Sequence, residues 1–250
     1  MVELVFGALS TTDVLLALLT GVLASLCLAI AFMMAKRNMA RWIPRKFVHI
    51  STGSVIGLTV VAYSNLSGPA LAAGIFLTLL SYAWAHRSTL IQELLMAGSR
   101  EGETSFSTFA AGFMGMLSFA LSFLVFLPRP EIFVAAILVV AWADASGEVI
   151  GRTLGGKYLP RLQTGKSVEG SLAVMLFSLL SMLVALALYS DTCTLCVVPR
   201  LLVIALGVAA TEFFSRRWLD NFLLPLVTST MLWLLVFPTM PLLGLYVMFG

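Results

Sequence analysis

The chain has 250 residues, of which 60% are hydrophobic and only 11% charged, and its mean hydropathy is +1.02. A soluble domain carries roughly a quarter charged residues, so this composition excludes one and predicts an all-α, polytopic bundle of transmembrane helices. The net charge of +3 is too small to argue for a nucleic-acid partner.

A spanning helix needs about 20 mostly apolar residues. Such runs lie near 13–35, 47–64, 68–86, 105–127, 131–150, 168–190, 199–215 and 222–237, which predicts about eight spans in a range of seven to nine. A short apolar tail, 241–250, follows Pro238 and Pro241 as a re-entrant piece or an extension of the last span. No long linker, low-complexity segment or internal repeat interrupts the chain, so 1–250 is expected to be a single integral-membrane domain. The first run is preceded by Glu3 and carries Asp13, with no basic stretch before it. It is therefore expected to stay as a span rather than be cleaved as a signal.

The connections alternate in charge. Lys36, Arg37, Arg41, Arg45 and Lys46 follow the first run, and Arg87 and Arg100 follow the third. Arg152, Lys157, Arg161 and Lys166 follow the fifth, and Arg216 and Arg217 the seventh. Of the 15 Lys and Arg residues, only Arg129 and Arg200 fall in the intervening connections. The positive-inside rule then puts the N-terminus outside and the basic connections in the cytoplasm. A transporter usually carries polar groups at the bilayer midplane. Here they gather at one side, which favours an enzyme that meets its soluble substrate at the cytoplasmic face.

Cys27 reads as a packing residue inside the first span. Cys193 and Cys196 form a CxxC in a connection expected to lie outside, either as a local disulfide or as two thiols.

The densest polar stretch lies between the fifth and sixth spans. Asp144 and Glu148 are four residues apart at the end of a span and share a helix face. Two carboxylates held close favour a cation between them, and Mg²⁺ is typically held by one or two carboxylates plus substrate phosphates. The competing reading is that both pair with Arg152 or Lys157. Gly147 and Gly151 leave room for a close approach. Gly165-Lys166-Ser167 looks like the end of a phosphate-binding loop, but the glycine that such a loop needs five residues before Gly165 is Pro160. A glycine turn entering a helix still presents backbone N–H groups to an anion, with Lys166 as a point charge. Glu169 and Ser171 lie in the first turns of that helix, where an acid is favoured by the dipole alone.

Three further groups face the same side. His49 enters the second span one turn after Arg45 and beside Lys46, as an interfacial histidine, a phosphate ligand or a proton acceptor. Arg100 and Glu101 precede the fourth span as a polar loop or part of a headgroup site. Glu212 closes the seventh span, and Asp220-Asn221 opens the eighth as an N-cap or as part of a metal or nucleotide site.

Four segments together carry a family resemblance: RKFVHISTG at 45–53, DASGEVIGRTLGGK at 144–157, GKSVEGSLA at 165–173 and DNFLLPL at 220–226. In identity, order and spacing they resemble the dolichol kinase, phytol kinase and CTP-dependent diacylglycerol kinase family of membrane lipid kinases. The resemblance implies transfer of a phosphoryl group, typically from CTP with a divalent cation such as Mg²⁺, to the hydroxyl of a membrane lipid alcohol. By position it assigns Asp144 as the essential acid. It places Arg152, Gly155, Gly156, Lys157, Gly165, Lys166, Ser167, Glu169, Gly170 and Ser171 in the nucleotide-binding region. Arg45 and His49 match its Arg-Lys-x-x-His piece, and Asp220 and Asn221 its Asp-Asn-x-x-x-Pro piece. The chain departs from the phytol kinase pattern at Ala143, where a glycine usually precedes the aspartate, which leaves the alcohol open.

The expected activity is that of a CTP-dependent lipid-alcohol kinase. Asp144, Glu148 and Asp220 are expected at the metal, and Asp144, Glu148 or His49 as proton acceptor. The expected partners are CTP, a prenol or similar lipid alcohol and the bilayer. A CTP:phosphatidate cytidylyltransferase and a transporter of an anionic solute are the alternatives.

Overall fold

The computed structural model describes residues 7–37, 39–86, 88, 90, 93, 96–97, 99, 104–126, 129–155, 166–215 and 219–240. The regular elements among them are helical: α1 (Thr11–Lys36), α2 (Trp42–Thr59), α3 (Ser67–Ala85), α4 (Ser105–Val125), α5 (Pro130–Leu138), α6 (Ala145–Thr153), α7 (Val168–Tyr189), α8 (Thr194–Phe214) and α9 (Leu219–Val236). A 3₁₀ turn, Val60–Ala62, ends α2, and a π-helical turn, Val139–Asp144, joins α5 to α6. Seven helices among the described residues are long and apolar enough to cross a membrane, counting Pro130–Thr153 as one. The chain is an integral, multi-pass membrane protein.

The expected second span is a helix, but it does not reach that level of apolarity. It starts at Trp42 rather than 47, and so takes in Arg45 and Lys46 as well as His49, which the expected span already held. Pro44 permits this start, because in the first turn its missing N–H is not required. α8 starts at Thr194 rather than 199, with Pro199 inside it. The ring removes the donor for the Leu195 carbonyl, and Leu195 is 83% exposed, so its backbone is open to solvation.

Two compact units divide the chain, Met1–Met116 and Leu117–Gly250. In the first, α1 packs against α2 and α3. Its tie is Asp13, fully buried in the first turn of α1. The carboxylate accepts from the Ser10 N–H (3.0 Å) and hydroxyl (2.7 Å), closing a capping box, and from the Ser64 N–H (2.9 Å) and hydroxyl. It thereby pins the start of α1 to the turn before α3. Trp84 of α3 stacks on Phe109 of α4 at 4.9 Å.

In the second unit, the continuous rod from α5 through the π turn to α6 is the core. Of its most apolar window 72% is buried, against 39% or less for α7, α8 and α9. Ile132 and Val134 through Val139 are completely buried. α7 and α9 flank the rod, and α8 packs on both. A rod hydrophobic on every side belongs inside a bundle, and α5 meets that condition.

The crossing of α6 with α7 is built on glycine. Gly147, Gly151 and Gly155 recur every four residues on α6 and its end; the first two face Gly170 of α7 and the third faces Ser167, the cap of α7. A methyl group on Gly170 would lie 2.8 Å from the Gly147 carbonyl oxygen and 3.3 Å from Gly151 Cα. One on Gly147 would collide with Val174 Cγ2, and one on Gly155 would lie 2.7 Å from Ser167 Oγ. Small residues at such spacing let helix backbones touch, which is how membrane helices associate without a hydrophobic driving force.

Candidate active site

The chemistry-bearing residues of the second unit meet where α6, α7, α8 and α9 present their polar ends. Asp144 closes the π turn and is buried, 6% exposed. π turns cost hydrogen-bond quality and recur at functional sites. Asp220 lies in the first turn of α9 and is 5% exposed. Its Oδ1 accepts from the Asn221 N–H at 2.9 Å.

Lys166 and Glu212 join these carboxylates. Lys166 Nζ donates to Glu212 Oε1 at 2.5 Å and to the main-chain carbonyl of the same residue. Both side chains are mostly buried. The Ser215 hydroxyl donates to that carbonyl at 2.8 Å. Glu212 lies within electrostatic range of both Asp144 and Asp220. Four residues from four elements thus form one charged cluster: Asp144, Lys166, Glu212 and Asp220. Sequence reading named all four, but not the pairing of Lys166 with Glu212, which are 46 residues apart.

Orphaned oxygens lie near the starts of α7 and α9. Asn221 Oδ1 and Glu169 Oε2 are buried without a hydrogen-bond partner among the described residues, as is the Ser171 hydroxyl. Pro225 also deprives the Asn221 carbonyl of its helical donor four residues on. Acceptor oxygens left without donors suit a cation or a hydroxyl-bearing ligand.

Other expectations fall differently. Glu148 is paired with Arg152, Nε to Oε1 at 3.0 Å, one turn apart on α6, which is the interfacial pairing weighed against a metal role. Ser167 caps α7, its hydroxyl accepting from the Gly170 N–H at 3.1 Å. One of the N–H groups expected to face an anion is therefore satisfied internally. Gly155 and Gly170 have a demonstrated packing role at the helix crossing. Gly156, Lys157, Arg161 and Gly165, and also Arg100 and Glu101, lie outside the described residues.

In the first unit, Arg45 and Lys46 are 6% and 2% exposed. Each is engaged by other groups, as buried cations must be. That is not the snorkelling expected of plain interfacial anchors. His49 follows on α2, half-buried and likewise engaged.

Among the described residues no three His, Cys, Asp or Glu side chains form a ready-made metal cage. Mg²⁺ does not require one, because it keeps several waters and takes one or two carboxylates with substrate phosphates. The hard oxygens of Asp144 and Asp220, with the orphaned Asn221 Oδ1, fit that ion.

The amino-acid comparison adds the decisive observation. Over 195 residues the chain is 29% identical to a phytol kinase from Synechocystis sp., and the alignment covers 76% of this chain and 78% of the relative. The chain is a homologue of a phytol kinase. This supports the polyprenol and lipid-alcohol kinase family that the four segments resemble. No family model matches the chain, and no solved structure gives a significant match.

Proposed function

We propose that the chain is a CTP-dependent kinase that transfers the γ-phosphoryl group to the hydroxyl of a membrane prenol or similar lipid alcohol at the cytoplasmic face. The observation that carries this is the homology to a phytol kinase along three quarters of the chain. The cluster of Asp144, Lys166, Glu212 and Asp220 agrees with it chemically.

Phosphoryl transfer asks a protein mainly for positioning and charge stabilisation. Lys166, anchored on Glu212, offers an ammonium to the phosphates, and Arg152 at the end of α6 adds a second cation. The N-terminus of α7 favours negative charge there. Asp144 and Asp220, with Glu148 nearby on α6, would hold Mg²⁺, which supplies charge neutralisation at the phosphates when bound. Asp144 or Glu148 accepts the proton of the attacking hydroxyl. The alcohol's tail lies in the bilayer beside the helices, so only its hydroxyl has to reach the interface. The cytoplasmic placement rests on the basic connections. The Cys193–Cys196 disulfide at the opposite end of α8 from Glu212 agrees with it, since disulfides persist in oxidising compartments.

The test is an assay of the purified protein with Mg²⁺, γ-³²P-CTP and a panel of lipid alcohols. Label in one lipid supports the kinase and names its acceptor class. Pyrophosphate release on adding phosphatidate would replace it with the cytidylyltransferase. Solute uptake by reconstituted vesicles without nucleotide would replace it with the transporter.

A further inference from the structure

At the start of α8, about 30 Å along a 21-residue helix from its other end, lies a group that the kinase reading does not use. Cys193 is the N-cap residue of α8 and Cys196 is in its first turn, and the two are joined in a disulfide with Cα atoms 5.3 Å apart. Both cysteines are exposed. Three observations argue against a structural staple. The bridged residues are separated by only three positions, and stabilisation by a cross-link grows with the loop it closes. The Cys196 N–H donates to the Cys193 carbonyl at 3.0 Å, so the backbone holds this turn without the sulfurs. Neither sulfur is packed in a core.

The oxidised form also leaves something unmade. α1 and α7 are capped by Ser10 and Ser167, whose hydroxyls accept from a backbone N–H three residues on. α8 has no side-chain cap hydrogen bond. Opening the disulfide frees Cys193 Sγ at the position those hydroxyls occupy. A thiolate there is stabilised by the first-turn N–H groups and the helix dipole. Stabilising the reduced form makes a disulfide readily exchanged.

We propose that Cys193 and Cys196 form a thiol–disulfide exchange site whose partner is an external dithiol, and that Cys193 is the stabilised thiolate. In the step, a thiolate of the dithiol attacks Cys196 Sγ. The Cys193–Cys196 bond breaks, and its electron pair leaves on Cys193 Sγ. The second thiol of the partner then attacks its own sulfur in the mixed disulfide and releases Cys196, which takes up a proton. The partner departs as a disulfide, having given two electrons. Its two protons go to Cys196 and to water or Cys193. This site does not depend on the kinase reading.

The experiment uses the full chain in detergent with Cys27→Ser, so that only the pair can react. In the unmodified chain Cys27 simply adds one constant label. The folded protein is equilibrated with mixtures of reduced and oxidised dithiothreitol, quenched in acid, denatured and labelled with a maleimide–polyethylene glycol. The expected result is no label without reductant, two labels gained together as the mixture becomes reducing, and both lost on reoxidation. Iodoacetamide on the reduced, folded protein is expected to modify Cys193 roughly tenfold faster than Cys196, read by peptide mass spectrometry. Labelling of the untreated protein, resistance to excess dithiothreitol until denaturation, or faster modification of Cys196 would each overturn the proposal.

Discussion

Lys166 is tied to Glu212 twice, through the carboxylate at 2.5 Å and through the main-chain carbonyl of the same residue. The second contact puts the ammonium at the C-terminal end of α8, where the helix dipole favours a cation. The lysine therefore reaches its position from one side of the cluster and is held from another.

The tie sets an order among variants. A charged hydrogen bond contributes about 1.5–3 kcal/mol, so on the proposed reading Lys166→Met should weaken productive nucleotide binding about ten- to a hundredfold. Glu212→Gln keeps the main-chain carbonyl and an amide oxygen for Lys166, and its effect should be smaller. Initial rates across CTP concentrations check this. Equal losses in the two variants would mean that the carboxylate does more than hold the lysine.

Asp144→Asn changes one buried oxygen and little volume. If the carboxylate holds the cation or takes the proton, turnover should fall by about 10²- to 10⁴-fold with the thermal unfolding profile preserved. An active Asp144→Asn enzyme would remove the central acid from the reading.

The glycine crossing makes a prediction about stability alone. Gly170→Ala puts a methyl 2.8 Å from the Gly147 carbonyl oxygen and should cost about 1–3 kcal/mol, as overpacking does. Gly74→Ala on α3 is the internal control. Nothing lies within 4 Å of its new methyl, and alanine is the better helix former by about 1 kcal/mol. Its unfolding temperature in detergent should be unchanged or higher, while that of Gly170→Ala falls.

Asp13→Ala should destabilise the first unit, because its carboxylate gathers hydrogen bonds from both Ser10 and Ser64. Asp13→Asn keeps the shape and one acceptor, so it should lose less. Proteolysis of the connection before α3 would report the loosened tie.

The spans were legible because the bilayer demands the same thing of each one, an apolar run of fixed length. Even so, α2 and α8 began five residues before their expected starts, because Pro44 and Pro199 were compatible with helix where a hydropathy reading stops. The cluster was legible only in part. Asp144, Lys166, Glu212 and Asp220 are recognisable singly, since a charge beside an apolar helix is costly. Their meeting is a tertiary fact, set by how α8 and α9 pack on α7 and the rod, and no local pattern contains it. Gly147 and Gly151 were read as room for a close approach, and the structure fills that room with Gly170 of α7, which the resemblance assigns to nucleotide binding. The disulfide was left open, because two cysteines three apart read the same in either redox state.

The π turn between α5 and α6 takes up one residue of helical phase. An ordinary helix advances about 100° per residue, and a π turn holds one residue more than the α-helical winding has room for. Upstream of it the rod is buried on all sides, the turn itself ends on Asp144, and downstream the chain presents glycines to α7 and Glu148 and Arg152 elsewhere. Removing one residue from Val139–Asp144 would therefore let the α-helical winding run on unbroken with everything after it facing much as it does now, whereas inserting one residue into α5 would turn everything after it by about 100°. The glycine seam would then turn away from Gly170, and the acids would turn away from the lysine they now accompany. A single-residue insertion in α5 should therefore be far more damaging than a single-residue deletion within Val139–Asp144.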